Sequence, residues 1–583
     1  MPAAEQHSLP LRSQQDPNDV EPISPGWDDD MAPNQQPGLY DAIYEKLVRS
    51  EFSRAKFLPQ DDFDELLTEE AIKEELDKFA PGCARRSLIE YISKYARKTF
   101  AILVIQAKVQ KAVHLETSTF KDEYLPIANE DSCLTSLSGV SKDLPGWRWF
   151  RSWTKQEKND FCDQQWLYLA PVFGDDSKME ELHPDCRLPF LTSQSKGEGG
   201  SFSFLHKATI HHAHHAVNSD DLIIAIKELR EKEAGADQRE LDALALARQL
   251  EHPHIVRFVG GFRQNSTSYL LFQWAEGGSL RSYWNDEENW SADGDLISWT
   301  IGQIKGLVGA IGCWHENPNS QELNGRHGDL KPENILMSSA LQRGIFQIAD
   351  LGLAKIHSLP THARNKPSST PRGTLRYRPP EADPKISRSY DMWGMGCIIL
   401  EWIIWLVYGN EGLTKFSQQA FPEDFDAFWL SGSDDRPLRP VVVSWMKHMT
   451  DTCLVDGEQC YSIALRRLLM FVRERLLVPD ATDRDIGDTS QQPVGDDRVP
   501  IYVTPASDVT LVSSISGRAR SKESCIELEK ISSIPLDIPN YMHNPKIDMR
   551  GPIGRLPIIS NKLLMPSSTS NSRLEVNGSL GNR

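Results

Sequence analysis

The stretch Arg326-His327-Gly328-Asp329-Leu330-Lys331-Pro332-Glu333-Asn334-Ile335-Leu336 decides how this chain is read. An aspartate, a lysine two residues on and an asparagine five residues on set a carboxylate, a cation and an amide on one short loop. Sixteen residues after Asn334 stands Asp350, in Ala349-Asp350-Leu351-Gly352-Leu353-Ala354-Lys355, on a strand-ending turn. Phosphoryl transfer requires an oriented hydroxyl, neutralised phosphates and metal ions bridging their oxygens. Asp329 can accept the hydroxyl hydrogen bond, and Lys331 can shield charge. Asn334 and Asp350 can hold Mg²⁺, because an oxygen-rich pair suits that ion better than a soft metal.

With the blocks around it, this loop resembles the protein-kinase superfamily, from roughly residue 190 to 535. Upstream, Ala225-Ile226-Lys227 is similar to the lysine strand, and the resemblance puts Lys227 on the α- and β-phosphates. Downstream, Gly373-Thr374-Leu375-Arg376-Tyr377-Arg378-Pro379-Pro380-Glu381 resembles the end of an activation segment. Asp391-Met392-Trp393-Gly394-Met395-Gly396 looks like the start of the buried helix that anchors the catalytic loop. Arg518 resembles the late arginine that pairs with Glu381. The implied fold is α+β and two-lobed: a small β-sheet lobe with one helix, then a larger helical lobe. The implied cofactors are ATP and Mg²⁺, with Asp329, Lys331, Asn334 and Thr374 as the catalytic set.

Other parts of the resemblance are looser. Glu240 is preferred over Asp242 as the helix glutamate that pairs with the lysine, though it lies 12 residues before His252, further than usual. The segment Lys196-Gly197-Glu198-Gly199-Gly200-Ser201-Phe202 supplies glycines for a phosphate-covering loop without a clean GxGxxG, since backbone N–H groups must approach phosphates closely. Phe272 is expected at the back of the adenine pocket, with backbone groups of Gln273 to Ala275 on the adenine edge. Ala225 and Leu336 are also assigned to that pocket. Two departures bear on mechanism. Gly328 replaces the arginine that in the family receives a phosphorylated activation loop, and Leu351 replaces an aromatic in the metal-binding turn.

Lys331 and Thr374 resemble Ser/Thr rather than tyrosine kinases. The expected activity is transfer of the ATP γ-phosphoryl group to Ser or Thr of protein substrates. The rival is an inactive or ATP-binding pseudokinase scaffold, supported by the irregular glycines and Gly328. Against it, Lys227, Asp329, Asn334 and Asp350 are all present. The wording of several blocks is similar to filamentous-fungal kinases with a helical leader.

Outward from this core, residues 1–36 and 540–583 read as disordered, and 479–510 as a polar insertion. Residues 37–182 read as helical and offer no acid, base or metal constellation, so they are expected to recruit a protein partner or pack on the sheet lobe. There Thr68 is expected to cap a helix with Ile72, Leu76 and Phe79 on its apolar face, and Leu88, Ile92, Tyr95 and Ile102 repeat that period in the next. The Trp-rich stretches near Trp147 and Trp166 read as core rather than a ligand platform. Between residues 206 and 215 stand five histidines, His206, His211, His212, His214 and His215. They could hold a transition metal, but without nearby Cys or a helical i, i+4 frame a solvated hairpin extension is the preferred reading.

The net charge of −18 over 583 residues argues against broad nucleic-acid or anionic-lipid binding. Nine cysteines without a CxxC pair argue against a secreted disulfide framework. The apolar run Met392–Gly409 raises a membrane question, which Glu401 near its centre answers in favour of a buried core helix. An intracellular protein, cytoplasmic or nuclear, is expected.

Overall fold

A computed structural model describes residues 38–79, 82–130, 133–174, 179–198, 203–229, 252–291, 294–316, 324–339, 343–350, 355–357, 374–381, 388–421, 426–431, 436–453, 463–478 and 518–534. The termini, the 479–510 stretch, Gly199, Gly200, Glu240, Asp242 and Leu351 lie outside them. The chain forms two compact units. The first comprises residues 1–174, 182–194 and 208–222, and the second 175–181, 195–207 and 223–583.

The first unit is built from short helices and two small hairpins around an apolar core. Thr68 caps the helix Glu69–Phe79 by accepting the Ala71 N–H at 3.2 Å, as its sequence position implies. Ile72 and Leu76 are buried, but Phe79 is 56 % exposed and does not belong to the packed face. The expected second helix is in fact two, Arg86–Tyr95 and Arg97–Ile105. Ala96 leaves helical geometry between them (φ −143°), so Tyr95 turns outward and Ile102 packs from the next helix. That second start is capped from afar: Asp122 accepts Lys98 N–H at 2.8 Å and Thr99 N–H at 2.9 Å. The tryptophans form core. Phe120, Trp149, Phe150, Trp153 and Phe161 pack ring on ring with centroids 4.8–6.5 Å apart.

A six-stranded sheet carries the lysine strand. Its order is Met179–Glu181, Phe258–Gln264, Thr267–Gln273, Leu222–Leu229, Ser203–Ile210, Phe190–Glu198. The edge strand Met179–Glu181 pairs in parallel with Gly261–Arg263, so the sheet draws on residues ahead of position 190. Leu222–Leu229 alternates buried and half-buried positions, and Ile224 and Ile226 point into the core on either side of Ala225.

The helical part of the second unit is organised on Ser389–Ala420, which includes the run flagged as a membrane candidate. Nearly every residue from Ser389 to Gly409 is buried, packed among Trp284, Leu296, Ile304, Trp445 and Leu468. A second long apolar helix, Gly294–His315, lies in the same core on one face. Glu401 is tolerated there because its Oε2 accepts the Tyr377 hydroxyl at 2.8 Å and Arg281 Nη2 at 3.4 Å. The late helix Ser521–Ser532 buries Leu528 and Ile531, while Ile526 is 54 % exposed.

Candidate active site

The loop 326–336 is held from beneath by one buried carboxylate. Asp391, in the first turn of the long helix, accepts the His327 N–H through Oδ2 and the Gly328 N–H through Oδ1, each at 2.9 Å. His315, at the end of its helix, meets the same Oδ2 at 2.9 Å. Burial alone would raise the Asp391 carboxyl, but His315 and the two loop amides hold it below the usual carboxylate range. His315 is a residue that sequence reading did not single out. Its only signal was a histidine closing an apolar helix. His327 ties the loop to the next strand, its Nε2 2.9 Å from the Ala349 carbonyl. Gly328 stands at φ +82°, a left-handed conformation that disfavours any Cβ.

Above this base, four of the expected residues converge. Asp329 Oδ2 accepts from Lys331 Nζ at 2.8 Å and from Asn334 Nδ2 at 3.2 Å. Its Oδ1 accepts the Thr374 N–H at 2.9 Å, and Lys331 Nζ also bonds Thr374 Oγ1 at 3.1 Å. Asn334 Nδ2 makes a further bond to the Asp329 carbonyl at 2.9 Å. A carboxylate offers about four lone-pair sites, so three donors orient Asp329 and leave room for one more. Asn334 makes both bonds through Nδ2, which leaves its Oδ1 as the acceptor for a cation.

Lys227 reaches across to Asp350, Nζ to Oδ1 at 2.9 Å, joining the sheet to the turn after Ala349. Asp350 is itself left-handed (φ +61°) and its side chain is 45 % exposed, open to a ligand. The oxygen atoms of Asp350 and Asn334 fit a hard divalent cation. Ala225 lies two residues before Lys227 on the same strand, opposite Phe272. Leu336 lies on the strand Ile335–Met337, bridged to Ser279.

The N–H of Gln273 donates to Arg257 O at 2.9 Å and that of Trp274 to Ile223 O at 3.0 Å. Gly197 sits within the strand Phe190–Glu198. Glu381 pairs with Arg518 as expected. That guanidinium also donates to Val478 O at 2.8 Å and Ser389 O at 3.1 Å and stacks over Trp393 at 4.8 Å.

The histidine segment is not the solvated hairpin extension expected. His211, His214 and His215 are buried, around a short 3₁₀ turn at His212–His214 that packs on Phe57. His206 stands apart, 3.7 Å from Glu228.

Residues 207–459 match the protein kinase domain family. The match starts after the glycine-rich stretch at 197–200. Similar proteins include human mitogen-activated protein kinase kinase kinase 5, 29 % identical over 188 residues, which are 31 % of this chain and 13 % of that protein. Cyclin-dependent kinase 17 of Caenorhabditis elegans is 29 % identical over 184 residues, 31 % of this chain and 25 % of that protein. The chain thus aligns with a minor part of the length of each.

Proposed function

We propose that this chain, whose second unit has the two-lobed protein kinase fold, transfers the γ-phosphoryl group of ATP to Ser or Thr hydroxyls of protein substrates. The observation that carries the reading is the closed triangle of Asp329, Lys331 and Thr374, each bonded to the other two. Lys331 spends two of its three N–H groups on the triangle and keeps one for a phosphoryl oxygen. Asp329, pinned by three donors, takes the hydrogen bond of an incoming hydroxyl at its remaining acceptor site, which orients that oxygen for attack. Thr374, the residue type on which the Ser/Thr reading rests, fixes the chain end beside that site.

Lys227 and Asp350 hold the nucleotide end, with Lys227 on the phosphates and Asp350 with Asn334 on Mg²⁺. When bound, Mg²⁺ supplies positive charge where phosphate charge gathers. The similarity of relatives named as mitogen-activated and cyclin-dependent kinases supports the Ser/Thr class.

The test is purified full-length protein with labelled ATP, Mg²⁺ and generic Ser/Thr acceptors, beside Asp329→Asn. Label on Ser or Thr, lost in the variant, supports the reading. ATP binding without any transfer by the wild type sinks it and favours the scaffold alternative.

A further inference from the structure

We propose that Asp61, His211 and His212 form a binding site for a divalent transition-metal ion, zinc foremost, inside the first unit. One side-chain donor atom from each lies within 4.8 Å of the other two. The three come from distant places: Asp61 from the first turn of the helix Gln60–Leu66, the histidines from the segment after the strand Ser203–Ile210. No two of them except the histidines are neighbours in sequence, so their convergence is a product of the fold.

His212 is oriented as a metal-binding imidazole is oriented. Its Nδ1 meets Asp221 Oδ1 at 3.0 Å, and its backbone N–H donates to that same oxygen at 2.8 Å. A carboxylate on one ring nitrogen fixes the tautomer and presents the other nitrogen as a ligand. That other nitrogen, Nε2, faces Asp61 Oδ2 at 2.9 Å. An ion entering here replaces the proton shared by Nε2 and Oδ2, and that proton leaves to solvent. His211 stacks beside His212 with ring centroids 4.2 Å apart. It gives one ring nitrogen to the ion in exchange for a long bond, 3.2 Å, from the Ala213 N–H to Nδ1.

The donor set selects the ion. Two imidazoles and a carboxylate suit zinc, cobalt or nickel and disfavour Mg²⁺ or Ca²⁺, which prefer oxygen. Zinc ligands at about 2.0–2.2 Å in a tetrahedron stand roughly 3.4 Å apart, so donor atoms now within 4.8 Å of one another draw together by a small side-chain movement when the ion binds. Charge agrees as well: the ion's two positive charges balance Asp61 and Asp221. The surrounding groups are committed elsewhere. His214 uses Nδ1 on Pro171 O at 2.9 Å and Nε2 on the Gln60 N–H at 3.3 Å. Asp62 is paired with Lys46 at 2.6 Å. Three protein ligands leave a fourth position to water. The ion would clip together two parts of the unit 151 residues apart.

The experiment uses untagged full-length protein stripped with a chelator, then titrated with Zn²⁺ by calorimetry and by thermal melting, with Co²⁺ as a visible-spectrum probe. Expected are saturable zinc binding, a zinc-dependent rise in melting temperature that excess Mg²⁺ does not reproduce, and a Co²⁺ spectrum of a low-coordinate site. His211→Gln and Asp61→Asn should each weaken binding at least tenfold. His211→Gln keeps the bonds of His212 to Asp61 and Asp221, so a mere charge latch would survive it unchanged. Should that variant melt lower without metal, the Co²⁺ spectrum of the folded protein decides, because losing an imidazole shifts or abolishes its bands. Absent zinc binding, or equal zinc response in wild type and both variants, overturns the site.

Discussion

Two stretches of this chain gather polar side chains, the loop 326–336 and the segment 211–221, and they are built in opposite ways. In the loop the reacting groups are neighbours: Lys331 and Asn334 reach Asp329 from two and five residues away. In the segment the decisive partner of His212 is Asp61, 151 residues earlier. A short loop can be read off as a unit because its geometry is set by local turns. A long-range meeting exists only once helices and strands have packed. The same residue types therefore gave a clear site in one place and a misread hairpin in the other.

The sharpest way to break this contrast is a cut at Leu182, where the sequence alone would end the helical region. Such a truncation removes the edge strand Met179–Glu181 and separates residues 182–194 and 208–222 from the rest of their unit. The expected outcome is loss of soluble, cooperatively folded protein, read by size-exclusion chromatography and a melting curve. A monomeric product with a sharp transition would show that the distant contacts around His212 are dispensable.

Next in size is Asp391→Ala. It takes away the acceptor for two buried loop amides and leaves His315 facing an empty site. Removing one partner from a buried charged network costs about 3–5 kcal/mol, against a smaller cost for Asp391→Asn, which keeps one acceptor oxygen. Urea melts of the two variants beside wild type measure it. Equal stability of all three would mean that the loop holds its shape by local turns alone.

Lys227→Met follows, a test of function at unchanged fold. Lys227 pairs with Asp350, whose side chain is 45 % exposed, so solvent screens the pair and its charges serve the phosphates more than the fold. Turnover should fall by about 10²-fold or more with the melting temperature within a few degrees of wild type. Near-normal turnover would remove Lys227 from the site.

What could be read in advance follows the same division. The loop 326–336, the strands at Leu222 and Tyr269 and the buried helix at Asp391 were legible because each depends on local spacing or on one long apolar run, whereas the pair Glu381–Arg518, 137 residues apart, was expected only from the family resemblance. Phe79 and Tyr95 were misplaced, because a helical period marks which residues share a face but not where the face ends. The break at Ala96 was invisible because Asp122, which caps the following helix, comes from 23 and 24 residues away.

A smaller effect is expected at Gly328. Its φ of +82° is one that a side chain disfavours by about 1–2 kcal/mol. Gly328→Ala should lower stability by about 1 kcal/mol, a few degrees in the melt, without moving the Asp391 bonds. An unchanged or raised melting temperature would show that the loop relaxes to an ordinary conformation at no cost.

The smallest effect expected is on control by phosphate. Ser368, Ser369 and Thr370 lie between Asp350 and Glu381, outside the described residues. A phosphate there carries about −1.5 to −2 charges and orders the chain only where a cation receives it. Gly328 offers none. Arg376, one of the nearby cations, is already committed: it bonds Asp426 at 2.7 Å and Ser417 at 3.2 Å, and its guanidinium lies 4.2 Å above the Phe421 ring. Thr374, meanwhile, is anchored to Asp329 and Lys331 with no phosphate involved. The combined change of Ser368, Ser369 and Thr370 to alanine should therefore alter the initial rate by less than about tenfold, 1.4 kcal/mol in barrier, and phosphatase treatment of the wild type should do the same. A loss well beyond tenfold in both would mean that Arg364, Lys366 or Arg372, all within a few residues of the modified positions, receives the phosphate, a local pairing unlike the one that joins Asp61 to His212.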